Sequence, residues 1–227
     1  MKCIVVAISM CVALASCGGG SDSSPLVVST ESFPVRAAYI KLMQSAESRP
    51  FTLVGQVSDI QLTGEGTITS GDLFDTTFEG AVALGKTTAI TSTLSIEGKT
   101  YPSSSASTIY LDSKYNPIGM IGKEYSVVTS STPLPETAKV GATGIWLNIN
   151  TYTNFSKTSL LEIETVTYVL EPETASTALL RTIQVSKKIG SATTTTIFQI
   201  QRITPSGNLT ELSRRFEDGT QSFTMTF

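Results

Sequence analysis

From Phe51 to Phe227 apolar and hydroxyl-bearing residues alternate in short runs, and that rhythm rules out most folds. Ile90, Leu94 and Ile96 alternate with Thr91, Thr93 and Ser95. Leu161, Ile163 and Val169 share a parity with Thr165 and Thr167; Leu179, Ile183 and Val185 repeat the pattern, as do Phe223, Met225 and Phe227. A period of two, rich in β-branched residues, marks strands with one buried face. Turn chemistry punctuates the runs at Glu97-Gly98-Lys99, Asn116-Pro117-Ile118-Gly119, Pro205-Ser206-Gly207-Asn208 and Glu217-Asp218-Gly219. About nine to eleven strands joined by short links imply a mainly β fold. The expected form is an antiparallel β-meander arranged as a sandwich or half-barrel.

One segment departs from that rhythm. Val35, Ala38, Tyr39, Leu42 and Ala46 recur at helical spacing behind Ser32, a suitable N-cap, and Arg49-Pro50 closes the run. Arg36, Lys41 and Glu47 lie off the stripe. The sequence therefore predicts one N-terminal helix packed on the sheet. Thr108-Ile109-Tyr110 with Lys114, Pro117 and Gly119 also aligns without gaps on Thr196-Ile197-Phe198 with Arg202, Pro205 and Gly207. That echo fits either a duplicated half or ordinary hairpin chemistry.

Composition removes several kinds of chemistry. The 227 residues contain no histidine, which excludes histidine-based nucleophilic catalysis and imidazole metal sites. The three cysteines, Cys3, Cys11 and Cys17, all fall at the N-terminus, so the body lacks thiols for zinc and pairs for disulfides. Charged residues make up 15% of the chain and the net charge is −3, with no basic stripe for a nucleic-acid partner. No metal, cofactor or catalytic residue is expected.

Met1-Lys2 is followed by an apolar stretch, Cys3 to Leu14, and then by Leu14-Ala15-Ser16-Cys17. The stretch has signal-peptide length and falls short of the roughly 20 residues that span a bilayer. Its last four residues resemble the lipobox of bacterial lipoproteins. That resemblance implies a signal peptide over residues 1–16, acylation of Cys17, and a tether over residues 17–31 that includes Gly18-Gly19-Gly20-Ser21. A single β-rich domain over residues 32–227, either one unit or two similar halves, would follow. Gly18 stands where aspartate commonly retains Gram-negative lipoproteins in the inner membrane. The implied address is the outer membrane, on its periplasmic or its surface face.

Gly80-Ala81-Val82-Ala83-Leu84-Gly85-Lys86-Thr87 matches the spacing of a phosphate-binding loop. Such a loop must open a helix, whereas a β-branched alternating run follows Lys86. Gly85-Lys86 is read instead as an exposed hairpin turn, and no nucleotide partner is expected. Asp112 is read as the end of a strand entering a turn. Asp72 with Asp75, and Glu162 with Glu164, are read as exposed acidic positions, which leaves a carboxylate-based hydrolase without support. The serine patterns S-x-x-K and G-x-S-x-G are absent.

Trp146, Asn148, Asn150 and Tyr152 fall on one parity of a strand, with Ile145, Leu147 and Ile149 on the other. The aromatic and amide side chains form a candidate binding face for a glycan or a protein. Phe223-Thr224-Met225-Thr226-Phe227 resembles the C-terminal signal of outer-membrane barrels, but the strands lack a continuous lipid-facing apolar band. The expected protein is a non-enzymatic, lipid-anchored binding module. The alternative is a lipid or lipoprotein carrier, because a helix followed by a long meander is the element order of the LolA and LolB half-barrels. A large apolar cavity under the helix would favour the carrier, and a flat polar face around Trp146 the module.

Overall fold

The computed structural model describes residues 28–227. The leader, Cys17 and most of the tether lie outside that range. After one helix, α1 (Val35–Gln44), come twelve strands: β1 (Glu47–Val57), β2 (Ile60–Phe78), β3 (Ala81–Ile96), β4 (Lys99–Leu111), β5 (Pro117–Ile121), β6 (Tyr125–Ser131), β7 (Thr143–Tyr152), β8 (Leu160–Pro172), β9 (Ala178–Lys188), β10 (Thr194–Ile203), β11 (Leu209–Asp218) and β12 (Gln221–Thr226). Each strand pairs antiparallel with its sequence neighbours, and β1 pairs with β12. The meander is therefore a closed barrel rather than a sandwich or half-barrel. Closure satisfies the two edges that an open meander would leave unpaired.

An interior of about eight strands is just wide enough for side chains to fill. Twelve strands enclose more, and α1 closes one end of the surplus. Phe33 exchanges backbone hydrogen bonds with Ala138, and Phe33, Val35 and Ala38 pack on Leu134, Leu170, Ala178, Leu180 and Ile203. Arg36 pairs with Glu136 at 3.2 Å, Lys41 donates to Asn208 Oδ1 at 2.6 Å, and Gln44 donates to the Tyr115 hydroxyl at 2.7 Å. These contacts tie the helix to three loops around the same rim.

A second apolar cluster lines the opposite wall. Phe51, Leu53, Leu62 and Ile68 form it, with Ile90, Leu94, Phe223, Met225 and Phe227 packed against them. The terminal aromatic residues thus pack inside the barrel rather than facing outward. Between the clusters, Glu211 accepts from Arg49 at 2.7 Å and from Arg214 at 2.9 Å. A third cluster, Phe78, Ala83 and Tyr125 with Tyr110 and Tyr152, lies where Gly119 leaves room for a ring. A Cβ at Gly119 would come within 2.2 Å of the Phe78 ring.

Several expectations need correction. Helix α1 begins after Pro34 without a side-chain cap, so Ser32 is not its N-cap. Ala46 is exposed and lies beyond the helix, and Arg49-Pro50 belongs to β1. Gly85-Lys86 lies inside β3; the turn is Glu79-Gly80, with φ near +51° and +78° respectively. Pro117 and Gly119 lie in β5 rather than in a turn. The parity of Leu161, Ile163, Leu179 and Val185 forms the outer face, because Glu164, Val166, Leu180 and Gln184 line the interior.

Candidate functional site: the lumen beneath the helix

Strand parity decides which side chains meet inside the barrel. Beneath α1 they leave a cavity of about 270 Å³. Tyr39, Leu42 and Met43 roof it, because helical spacing sets them on the inward side of α1. Ile109, Met120, Leu147, Ile149, Val166 and Leu180 supply apolar wall. Glu164, Gln184, Gln199 and Gln201 add a polar strip contributed by β8, β9 and β10. The barrel wall is lowest at β5, which has 5 residues against 13 in β4. Met120 of β5 lines the cavity yet is 43% exposed, which puts an opening on that side.

Trp146 enters this cavity through a backbone irregularity. The β7–β8 register shifts between Ile145 and Leu147, and Trp146 is the extra residue. A bulge re-aims the side chain it carries. Trp146 packs edge-on against Tyr39, with ring centroids 5.1 Å apart, and lines the cavity beside Leu147 and Ile149. Asn148, Asn150 and Tyr152 keep the opposite parity. Asn148 Nδ2 donates to Ser130 Oγ at 2.8 Å, and its Oδ1 accepts from Thr165 at 3.0 Å. Tyr152 packs against the cluster of Phe78 and Tyr125. The four residues therefore do not form one face; the bulge sends Trp146 inward.

Lys86 is 4% exposed, not a solvated turn lysine. Its Nζ donates to the carbonyl oxygens of Leu42 at 3.2 Å, Met43 at 2.9 Å and Ser45 at 2.5 Å. These groups lie at the C-terminal end of α1, where carbonyls lack intrahelical partners and the helix dipole favours a cation. Burial lowers the Lys86 pKa, while Glu47 and Asp72 oppose the shift. The ammonium thus pins the cavity's roof from inside the barrel. No phosphate loop exists here, because the glycine-lysine pair sits within a strand.

Glu164 is 6% exposed, contrary to its reading as an exposed position. Its Oε1 accepts from Thr151 Oγ1, and its Oε2 accepts from Gln184 Nε2. Glu162 lies two residues along the same strand. Burial raises its pKa, and the charges of Glu164 and Glu124 push the same way. Asp72 and Asp75 are exposed positions on β2. Asp112 does end its strand as expected, accepting from the backbone of Lys114 and Asn116, both at 2.8 Å. Among the described residues no group of three or more acidic or thiol side chains is placed to hold a metal ion.

The sequence signal for this site was present but outweighed. Glu162, Glu164, Val166, Tyr168 and Leu170 form the inner row of β8, and Thr182, Gln184 and Ser186 the facing row of β9. Their β-branched neighbours on the other parity looked more like a core. Comparison of the chain with protein-family models, with curated proteins and with solved structures finds no match.

Proposed function

We propose that the protein is a non-enzymatic binding protein that takes a small amphipathic ligand into the lumen of its barrel, beneath α1. The observation carrying this reading is the cavity itself, with mostly apolar walls and one polar strip. Ligand sites commonly combine an apolar enclosure with a few placed polar groups. Its 270 Å³ is less than twice the ~150 Å³ that admits benzene. A ligand of modest size suits that space, rather than the several acyl chains of a lipoprotein. We further propose that Cys17 anchors the domain by lipid to the outer membrane, with residues 18–31 as tether. The threonines and serines on the outer face of β2 to β4 support a barrel standing in water.

The carrier reading keeps one specific support: the apolar cavity lies under the N-terminal helix. A single short acyl chain could occupy it. The roofed, closed barrel would then act as a container, with entry beside β5.

Fluorescence titration with N-phenyl-1-naphthylamine, a neutral apolar probe, tests the lumen. Saturable binding is expected in the wild type. Ile149→Trp, which fills the cavity from the wall, should weaken it at least tenfold while far-UV circular dichroism stays unchanged. Equal binding by the variant, or no binding by the wild type, would refute the lumen as the site.

A further inference from the structure

The barrel interior holds two buried carboxylates, and the chain treats them differently. Glu211, 2% exposed, is flanked by the guanidinium groups of Arg49 and Arg214 at 2.7 and 2.9 Å. Glu164 faces only the neutral donors Thr151 and Gln184, and among the described residues no cation lies within ion-pair distance of it. A carboxylate removed from water without a counter-charge is costly, and buried charges are generally paired. Glu164 lines the cavity, so the space beside it is where a missing partner would stand.

A second carboxylate lies beside it on the same inner row. Glu162 precedes Glu164 on the inner row of β8, and Glu164, Glu124 and Asp218 all act electrostatically on it with like charge. Lys188, the register partner of Glu162 on β9, is the one opposing charge that acts on it. Tyr39, which also lines the cavity, has its hydroxyl buried without a hydrogen-bond partner. A negative field in a low-dielectric enclosure concentrates cations and repels anions.

We propose that the ligand is a cationic amphiphile, an amine on a compact apolar body, whose ammonium pairs with Glu164 while its body fills the space between Met43, Ile149 and Trp146. This assignment rests on the reading of the lumen as the binding site and names its ligand class. The ammonium brings three donors and the charge that Thr151 and Gln184 lack. A carboxylate of equal length would meet Glu164 with like charge. A neutral alcohol would gain the apolar contacts alone.

Displacement of bound N-phenyl-1-naphthylamine by octylamine, 1-octanol and octanoate, each below its micelle concentration, separates the possibilities. The wild type should take octylamine at least tenfold more tightly than 1-octanol, and octanoate most weakly. Glu164→Gln should abolish the preference for the amine and leave 1-octanol binding within twofold. Glu65→Gln, on an exposed position of β2, should change nothing. Equal displacement by amine and alcohol in the wild type would overturn the assignment, as would an amine preference that survives Glu164→Gln. The wild-type arm decides alone if Glu164→Gln does not fold. Failure of the naphthylamine probe itself to bind would instead overturn the lumen reading beneath it.

Discussion

Lys86 joins the barrel wall to the helix through three carbonyls, so its loss exposes more than one unmet acceptor. Lys86→Ala should destabilise the protein by about 1–3 kcal/mol, since three carbonyls at the helix end then lose a charged donor. Urea denaturation followed by circular dichroism measures this, and a midpoint identical to wild type would refute the helix-pinning role. Glu211 offers a sharper case. Glu211→Ala leaves Arg214 without its carboxylate and Arg49 with Glu47 alone, and about 3 kcal/mol of stability should disappear in the same assay. Tyr125 supplies a pH signature. Burial and its hydrogen bond to Glu79 hold its pKa at about 12. The unfolded chain releases that proton near pH 10, so between about 10 and 12 the fold binds more protons and stability falls as pH rises. Tyr125→Phe should make this alkaline decline shallower in thermal melts from pH 9 to 12. Residues such as Lys86 were hard to read from sequence because a lysine in a threonine-rich strand looks solvated. Only the helix end brought to it by the fold explains its burial.

Helix α1 owes its place to burial more than to its own signals. It spans 10 residues, follows Pro34 without a side-chain cap, and is short for an isolated helix in water. Its anchoring depends on Phe33, fully buried just before the first turn and bonded to Ala138. Phe33→Ala should cost about 3–5 kcal/mol by chemical denaturation. Loss of naphthylamine binding should accompany that cost, because the roof of the cavity would loosen. The apolar stripe Val35, Ala38, Tyr39 and Leu42 was legible from spacing, and the structure packs it inward as expected. The strands were legible as strands, but their faces were not uniformly so. In β3 and β12 the apolar parity points inward, as Ile90 and Phe223 show. In β8 and β9 the inward parity is polar at Glu162, Glu164, Gln184 and Ser186 and turns apolar at Leu170, Ala178 and Leu180, which join the core beneath α1. The bulge at Trp146 has no such signal, since Gly144-Ile145-Trp146-Leu147 reads as regular alternation.

At the scale of the whole barrel, β1 to β12 form an uninterrupted meander, and that much follows from turns recurring between alternating runs. Closure does not. Whether the last strand finds the first depends on strand tilt and stagger around the barrel, which local pattern leaves open. Closure makes β1 pair with β12 from Thr52–Thr226 to Val57–Gln221, and it creates a lumen that no single strand announces. Trp146 is the only tryptophan in the chain and lines that lumen. Its fluorescence therefore reports occupancy directly. Titration with a terminally brominated octylamine, a contact quencher, should give saturable quenching of Trp146 that excess unbrominated octylamine reverses. Quenching that rises only linearly with concentration and resists competition would mean that the quencher meets the indole by collision from solvent, and would contradict a ligand site inside the barrel.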